Sequence, residues 1–305
     1  MPRKIIYLIN PISGTGGKSS LQDLIIRKTE AQKIDYCILP TDAAGRYDFL
    51  IPAIQKDQIT DIVICGGDGT VSAVAAALKG VSVRIGIVPM GSGNGLAFAA
   101  KIPKDPSKAL DIIFAGKASY IDGFTINGQF SCMLCGIGFD AKVAHEFARQ
   151  KKRGLQTYIR VSLSHFFTSR PYSFRIRLPF PDGERSIPVN AFFINIANGN
   201  QFGNNVTIAP KASLQDGLLD IVVVKKMWKI PMVIAVIRQV LGGNAIQQVP
   251  DHAHAGRKNI LYFQTHELTI ENPEEAPLHI DGDPAATAKE FTIRIVPAVL
   301  NLIQP

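Results

Sequence analysis

Short apolar runs alternate with amphipathic stretches over the first third of the chain, and this alternation constrains the fold more than any other feature. The apolar runs are KIIYLIN, DYCILP, DIVICGG and RIGIVPM. Apolar residues at helical spacing follow them near 18–33, 43–56, 70–79 and 94–101, with a further helical stretch at 105–115. Strands and helices that alternate at this pitch predict a parallel, doubly wound α/β sheet.

Three of these predicted strands end in glycine-bearing loops. The loops are NPISGTGG (10–17), GGDGT (66–70) and PMGSGNG (89–95). In an open parallel sheet, ligands bind beyond the carboxyl ends of the strands, where all three loops would lie. Glycine leaves backbone N–H groups accessible, and the helix N-termini that follow favour anions. The sequence therefore predicts a ligand that carries phosphate groups.

Two common phosphate-binding motifs do not fit this chain. The end of the first loop, GGKS, is typical of a Walker A motif, but Ile12 stands where that motif requires its first glycine. GSGNGL has Leu96 in place of the third glycine of a dinucleotide fingerprint. GIGFDA (136–141) matches the fingerprint but lies outside the alternating region, with no acidic residue about 20 positions later.

The pattern changes after about residue 117, and we place a domain boundary near 118–123. Asn127-Gly128 predicts a hairpin with a type I′ turn. Further strands are predicted at 172–178, 186–197, 218–225, 259–264, 267–271 and 290–296, and helices at 140–150, 155–168 and 229–241. This part of the chain is predicted to be mostly antiparallel β structure.

Composition narrows the classes of protein that the chain can be. Its 305 residues carry a net charge of +8, which suits anionic partners such as nucleotide phosphates or an acidic membrane surface. No apolar run reaches the roughly 18–20 residues needed to span a bilayer, and no signal peptide is evident, so we expect a cytoplasmic protein. The CxxC pair Cys132 and Cys135 is predicted to be two buried thiols, because no second pair accompanies it.

Several segments together resemble the diacylglycerol kinase catalytic-domain family, which includes bacterial lipid kinases and the sphingosine and ceramide kinases. They are NPISG (10–14), GGDGT (66–70), PMGSGNGLA (89–97), IDGFTINGQFSCMLCGIGFDAKV (121–143), ASLQDGLLDIVVV (212–224) and LHIDGDP (278–284). The resemblance covers nearly the whole chain. It implies an α/β nucleotide-binding domain over 1–120 and a mostly antiparallel β-sandwich lipid domain over 121–289, with the last strand, about 290–305, returning to the first domain.

The resemblance also implies ATP and Mg²⁺ as cofactors, with ATP in the cleft between the two domains. The residues that it assigns to ATP are Gly66, Gly67 and Gly69 at the phosphates, Asn10, Ser13, Thr41 and Asn94 at the adenosine end, and Gly14, Thr70, Gly91 and Ser92 in the same loops. For Mg²⁺ it implies the carboxylate of Asp216, helped by the backbone carbonyls of Ser213 and Leu218.

Phosphoryl transfer requires positioned phosphates, charge neutralisation and a base near the acceptor hydroxyl. We expect Asp68 to interact with the metal or the acceptor hydroxyl, and the alternative is an Asp-Gly turn that only caps a helix. Bacterial relatives are thought to use a Glu in a DGE sequence as the base, and Asp283 occupies that position here. Asp281 and Asp283 could also form a solvated turn. By the same resemblance Asp140 is predicted to meet a lipid headgroup, and its alternative role is a helix N-cap.

A basic segment, ARQKKRG (148–154), precedes an apolar-rich helix at 155–168. This pair could dock transiently on an anionic membrane surface, or it could be a solvated helix end beside a core helix. Trp228 is expected to pack in the core.

The leading hypothesis is an ATP- and Mg²⁺-dependent lipid kinase that acts on diacylglycerol or a related, including sphingoid, lipid, as a peripheral membrane protein of phospholipid metabolism. We expect no nucleic-acid partner, and the protein could form a homodimer. Two alternatives remain. One is an NAD-kinase-like enzyme with a soluble acceptor. The other is a lipid-binding or regulatory protein with a degraded active site, because Thr15 stands where many bacterial relatives carry a Lys and Asp283 stands in place of their Glu.

Overall fold

The protein is described here by a computed structural model that covers residues 2–10, 18–42, 44–150, 155–203, 206–240 and 259–305. The chain divides into two compact units. The first is Met1–Asp122 together with Ala298–Pro305, and the second is Gly123–Pro297. This division does not test whether the first domain binds nucleotide and the second binds lipid, so both roles stay predictions.

The first unit is built on a parallel sheet flanked by helices. Its elements are β1 (Lys4–Ile9), α1 (Lys18–Ala31), β2 (Asp35–Pro40), α2 (Leu50–Asp57), β3 (Asp61–Gly66), α3 (Asp68–Leu78), β4 (Arg84–Pro89), α4 (Gly95–Ala99) and α5 (Pro106–Ala115). The order β2-β1-β3-β4 grows in both directions from β1, as a doubly wound sheet does. All six residues of β3 are buried, which is typical of a central strand covered on both faces. The predicted α/β fold is confirmed.

Two predicted helix boundaries differ from the structure. A helix was predicted from residue 43, whereas α2 begins at Leu50. The Asp42 carboxylate accepts hydrogen bonds from the backbone nitrogens of Ala44 at 2.9 Å and Arg46 at 3.1 Å, which holds this stretch in a turn. In the other direction, α3 begins at Asp68, two residues before its predicted start.

The second unit contains the remaining elements, and two of its strands continue into the first unit. Its elements are β5 (Ala118–Ile126), β6 (Gln129–Ser131), β7 (Leu134–Gly138), α6 (Phe139–Ala148), α7 (Leu155–Phe166), β8 (Tyr172–Phe180), β9 (Gly183–Ala197), β10 (Gln201–Gly203), β11 (Val206–Thr207), β12 (Leu219–Lys225), α8 (Lys229–Val240), β13 (Ile260–Thr265), β14 (Glu267–Glu271), β15 (Leu278–Ile280), β16 (Asp283–Ala285) and β17 (Glu290–Ile303).

Antiparallel pairing organises these strands. The long strand β9 pairs with β8 through its first part and with β7 and β12 through its second part. One face of the sheet packs a core of Ile, Leu, Val and Phe side chains. At the predicted hairpin, Asn127 and Gly128 have φ values of 47° and 83°, as a type I′ turn requires. The predicted antiparallel β-sandwich is confirmed.

Cysteine and tryptophan burial gives one confirmation and one correction. Cys132 and Cys135 are both fully buried, as predicted, and burial raises the pKa of Cys135 well above its ordinary value. Trp228, expected in the core, is instead 86% exposed. In the described part of the chain, no helix has the length and apolar character that crossing a membrane would require.

A buried carboxylate fixes the amino edge of the parallel sheet. Asp61 is fully buried at the start of β3 and accepts hydrogen bonds from Arg3 at 3.1 and 3.2 Å and from Arg84 at 2.9 Å. The Arg3 guanidinium also donates to the carbonyls of Ile113 and Phe114 at the end of α5. Through Arg3 and Arg84, the Asp61 side chain therefore links the starts of β1, β3 and β4 to the C-terminal end of α5.

Removal of the Asp61 carboxylate is expected to lower the free energy of unfolding far more than removal of an exposed carboxylate. Asp61→Ala leaves two guanidinium groups without their buried partner, so we expect the free energy of unfolding to fall by about 3–5 kcal/mol. The control is Asp111→Ala, which removes a surface ion pair with Lys28 worth about 1 kcal/mol or less. Urea denaturation measures both, and equal effects of the two variants would contradict this interpretation.

Candidate active site

The carboxyl ends of the parallel strands bring several predicted site residues to one edge. Beyond the strand ends, the backbone ladder continues through Asn10 N to Cys65 O at 3.1 Å and Thr41 N to Ile9 O at 3.1 Å. Met90 N likewise donates to Gly66 O at 2.9 Å. Asn10, Thr41 and the GGDGT and GSGN loops therefore lie along the same edge. Ser13 and Gly14, the other predicted residues of the first loop, fall outside the described residues.

Two glycines hold the GGDGT and GSGN loops in backbone contact. A Cβ on Gly91 would lie 2.6 Å from the Cα of Gly67, and a Cβ on Gly67 would lie 3.0 Å from the Cα of Gly91. Neither position therefore accommodates a side chain without moving the other loop. A Cβ on Gly66 would meet the Thr70 side chain at 2.9 Å. Packing between and within the loops therefore requires glycine at these positions, whether or not a ligand binds there.

Asp68 connects the same two loops through hydrogen bonds. It lies in the first turn of α3, and its carboxylate accepts from the backbone nitrogen of Asn94 at 2.7 Å and of Gly95 at 2.6 Å. Gly95 is the first residue of α4, so the carboxylate also satisfies a donor at that helix start. In this structure Asp68 stabilises the loop pair, whatever further role it has toward a metal or an acceptor.

Asn94 closes the GSGN loop on itself. Its backbone is left-handed, with φ 55° and ψ 44°, and the residue is only 3% exposed. Its Oδ1 accepts from Gly91 N and its Nδ2 donates to Gly91 O, both at 2.8 Å. The amide predicted to lie at the adenosine end of ATP is thus occupied within its own loop, and Ser92 is exposed at the loop tip.

In the described part of this edge, the N-terminus of α3 could accept an anion on its backbone donors. Its N-cap is Gly67, which offers no side-chain hydrogen bond, and Gly69 in the first turn is exposed. Backbone N–H groups at such a helix start favour a phosphate oxygen. Thr70 also lies in the first turn of α3, and its hydroxyl accepts from Asn10 Nδ2 at 3.2 Å. The Thr41 side chain is hydrogen-bonded to that of buried Tyr47.

The predicted metal segment forms a tight turn before β12. Asp216 Oδ1 accepts from Leu218 N at 3.1 Å, and Ser213 Oγ accepts from Gln215 N at 3.3 Å. Ser213 and Asp216 are exposed. Within the described ranges, no three His, Cys, Asp or Glu side chains are grouped to hold a metal ion. Magnesium here would therefore require the Asp216 carboxylate, backbone carbonyls and water, a donor set that suits this hard cation.

Asp220 is a carboxylate of this segment that the sequence interpretation missed. It lies fully buried on β12, and burial raises its pKa from 3.8 to about 6. The Gln264 amide donates to Asp216 at 3.4 Å and to Asp220 at 3.2 Å, so it links the two carboxylates. The available signal was the second Asp of QDGLLD, four positions after the first.

The DGD sequence forms a tight hairpin between β15 and β16. Asp281 and Gly282 occupy the turn with φ values of 51° and 87°, and Ile280 pairs with Asp283. Asp281 is buried, contrary to the alternative of a solvated turn. Its Oδ1 accepts from Ser131 Oγ at 2.5 Å and from the backbone nitrogens of Met133 and Leu134. Asp283, the predicted base, follows this fixed turn and is exposed.

Asp140 faces a buried histidine. It is 8% exposed in the first turn of α6, and because Gly138 is the N-cap, the N-cap alternative for Asp140 is wrong. Its Oδ2 lies 3.6 Å from Nε2 of fully buried His279, directly over Gly136, where a Cβ would lie 2.0 Å from this oxygen. His279 Nδ1 accepts from Gly282 N at 3.3 Å. A connected series of contacts thus runs from the predicted headgroup residue to the hairpin that carries the predicted base.

Comparison with known proteins places these features in one family. Residues 4–126 match the model of the diacylglycerol kinase catalytic domain, and residues 134–304 match the YegS C-terminal NAD kinase beta sandwich-like domain. A protein of Salmonella arizonae named "Probable lipid kinase YegS" is 30% identical over 271 residues, which are 86% of this chain and 83% of that protein. The diacylglycerol kinase of Mycobacterium tuberculosis is 31% identical over 227 residues, 72% of either chain.

Solved structures agree on the fold. A crystal structure of a diacylglycerol kinase from Bacillus anthracis strain Sterne superimposes with a TM-score of 0.74, covers 99% of this chain and 97% of that chain, and shares 19% of the sequence. By its match to the diacylglycerol kinase catalytic-domain model and to relatives named as lipid kinases, the protein is a kinase of lipid-kinase type. The chain belongs to the diacylglycerol kinase catalytic-domain family.

Asp68→Ala is expected to weaken the loop pair as well as any chemistry. It leaves the buried backbone donors of Asn94 and Gly95 unsatisfied, which costs about 1–3 kcal/mol for each group. We expect a clear loss of unfolding free energy in urea. The control is Asp105→Ala, which removes the N-cap of α5 and is expected to cost about 1 kcal/mol. An Asp68→Ala protein as stable as wild type would show that the loops do not depend on this carboxylate.

Asp220 is expected to make stability depend on pH in a direction opposite to that of most carboxylates. Between about pH 4 and pH 6 the folded protein retains a proton on Asp220 that the unfolded chain has released. The contribution of this group to stability is therefore largest below pH 4, and it is lost as the pH rises through 6.

The measurement is the melting temperature of wild type and Asp220→Asn from pH 4 to pH 7 in the presence of a chelator. The Asn variant stays neutral, so the stability of wild type relative to the variant should fall across this range. A constant difference would contradict the perturbed pKa. Asp182→Asn, at an exposed turn, serves as the control and should show no such trend.

Proposed function

We propose that the protein transfers the γ-phosphate of ATP, with Mg²⁺, to a hydroxyl of a diacylglycerol-like or sphingoid lipid. The observation that carries this proposal is the pair of glycine loops joined by Asp68 at the carboxyl edge of the parallel sheet. Membership of a lipid kinase family supports the same reaction class. The names of the relatives, which include lipid kinases and diacylglycerol kinases, support the acceptor class.

The phosphates of ATP would bind at the start of α3. Gly67 leaves that helix without a side-chain cap, and Gly69 presents exposed backbone, so N–H groups are accessible to phosphate oxygens. The rigid contact between Gly67 and Gly91 would hold these donors in a fixed geometry before the nucleotide arrives. Donors placed in advance stabilise the charge of the transferring phosphoryl group without a cost of reorganisation.

The turn at Ser213–Leu218 would hold Mg²⁺ through Asp216 and backbone carbonyls. The bound ion would neutralise charge on the phosphates during transfer. The hydrogen bond from Leu218 N orients Asp216 Oδ1, and the Gln264 amide contacts Oδ2. Buried Asp220, on the same Gln264 amide, would help to orient that amide and thereby the carboxylate of Asp216.

Asp283 would act as the general base for the acceptor hydroxyl. It is exposed, as a group that meets an incoming substrate must be, and it follows a turn that Asp281 fixes through three hydrogen bonds. Its side chain is one methylene shorter than that of the Glu typical of bacterial relatives, so the acceptor would have to approach the hairpin more closely. Asp140 would meet the polar headgroup of the lipid, with His279 Nε2 3.6 Å from its carboxylate.

The direct test is incubation of the protein with Mg²⁺, labelled ATP and a total lipid extract, followed by mass spectrometry of the labelled species. Asp283→Asn removes the proposed base and should lower the rate by about 10²–10⁴-fold. The matched control, Asp182→Asn, alters an exposed turn carboxylate of the same unit and should leave the rate unchanged.

The outcomes of this experiment are distinguishable. Labelled lipid in the wild type and its loss in Asp283→Asn support the proposal. Transfer to NAD with none to lipid would indicate the NAD-kinase-like alternative. ATP binding with no transfer to any lipid or to NAD would indicate a regulatory lipid-binding protein.

A further inference from the structure

Two helices of the second unit present apolar side chains to solvent. On α7 and just beyond it, Ile159 and Leu163 are about half exposed and Phe167 is 72% exposed. At the start of α8, Trp228 is 86% exposed and Ile230 is 76% exposed. Scattered apolar residues on a surface are ordinary, whereas a continuous apolar patch marks an interaction surface.

Helical spacing shows that these residues form ordered stripes. Ile159, Leu163 and Phe167 follow one another at intervals of four, and Ile230, Val233, Ile234 and Ile237 at intervals of three, one and three. Each set lies on one helix face. Such a face normally packs on the core, but here other residues do so: Val161 is 5% exposed and Met232 is 3% exposed.

A direct contact joins the two stripes into one surface. The Lys229 ammonium donates to the carbonyl of Phe166 at 2.6 Å and to that of Phe167, and it lies 5.5 Å from the centre of the Phe166 ring. Trp228 and Ile230 flank Lys229 in sequence, so they adjoin the end of α7. We call the exposed apolar residues of α7, α8 and their ends (Ile159, Leu163, Phe167, Trp228, Ile230, Val233, Ile234 and Ile237) the α7–α8 surface.

The two segments that carry this surface have charges of one sign. The chain has 25 Asp and Glu residues, yet none falls within 147–181 or within 221–250, the two segments that contain α7 and α8. The exposed cations of the described parts of these segments include Arg160, Arg170, Lys226 and Arg238. Apolar helix faces whose own segments carry cations and no acidic residues match an anionic lipid surface, and the like charges would repel a second copy of the same surface across a two-fold axis.

We propose that the α7–α8 surface docks the protein on anionic phospholipid bilayers, with Trp228, Ile230 and Phe167 entering the interface. Aromatic and aliphatic side chains at these positions would reach the boundary between headgroups and acyl chains, and the surrounding cations would meet lipid phosphates. The sequence predicted docking by the basic segment and α7 alone. Residues 151–154 of that segment lie outside the described residues and are not counted in this surface, to which α8 and Trp228 contribute instead.

Trp228 is the only tryptophan in the chain, so its fluorescence reports directly on this surface. Without nucleotide, vesicles of equal phosphatidylcholine and phosphatidylglycerol should shift the emission to shorter wavelength and protect it from aqueous acrylamide. Vesicles of phosphatidylcholine alone should produce neither effect. Added salt should weaken binding to the anionic vesicles, because the electrostatic part is screened. Since no ATP is present, the result does not depend on the proposed kinase reaction.

Phe167→Ser with Ile230→Ser should weaken sedimentation with anionic vesicles by at least about tenfold, because two apolar anchors are lost. Both side chains are largely exposed, so the melting temperature should change little. The matched control is Phe49→Ser with Tyr120→Ser, which removes two half-exposed aromatic rings outside this surface and should leave vesicle binding unchanged.

Three results would overturn the proposal. One is an emission that is the same with and without anionic vesicles. Another is equal binding to neutral and anionic vesicles. The third is a blue shift that follows protein concentration in the absence of vesicles, with a dimer mass by analytical ultracentrifugation, which would assign the surface to self-association.

Discussion

The candidate active site depends on one carboxylate that joins two loops. Asp68 starts the helix after β3, and its oxygens accept the backbone donors at the start of α4. Hydrogen bonds to an ionised acceptor are short and about twice as strong as neutral ones. This link brings the GGDGT and GSGN loops close enough for Gly67 and Gly91 to touch. With the loops fixed in this way, Asn94 can close its own turn, and the N-cap Gly67 leaves the start of α3 without a side-chain cap.

Sequence patterns predicted the location of this site but not the reasons for its residues. Apolar runs that end in glycine place the loops at one edge, because parallel strands share a carboxyl end. The function of each glycine depends on a neighbour far along the chain, since Gly67 and Gly91 are paired through space. The role of Asp281 also depends on distant residues. Its sequence context suggests a solvated turn residue, but its carboxylate accepts hydrogen bonds from Ser131 and Leu134. Local patterns carry no information on such distant partners.

The sequence also could not predict which way the apolar face of an amphipathic helix points. Periodicity identifies an apolar stripe on α8, but it does not say whether the stripe faces the core or the solvent. Trp228 was therefore placed in the core by its residue type alone, whereas the structure exposes it. The buried carboxylate of Asp220 was missed for a related reason. Its role depends on the Gln264 amide of a neighbouring strand, which no spacing within the QDGLLD segment reveals.

The last strand has a practical consequence for dividing this protein into parts. The first compact unit ends at Asp122 and resumes at Ala298, so the segment that matches the catalytic-domain model, 4–126, lacks one of its strands. Within that unit, Asn301 and Leu302 of β17 pair in parallel with Arg84 and Ile85 of β4. A fragment that stops near residue 126 would expose the edge of β4, an open row of backbone donors and acceptors that promotes aggregation. A soluble N-terminal fragment would have to carry residues 298–305 through a linker, as a circularly rearranged chain does.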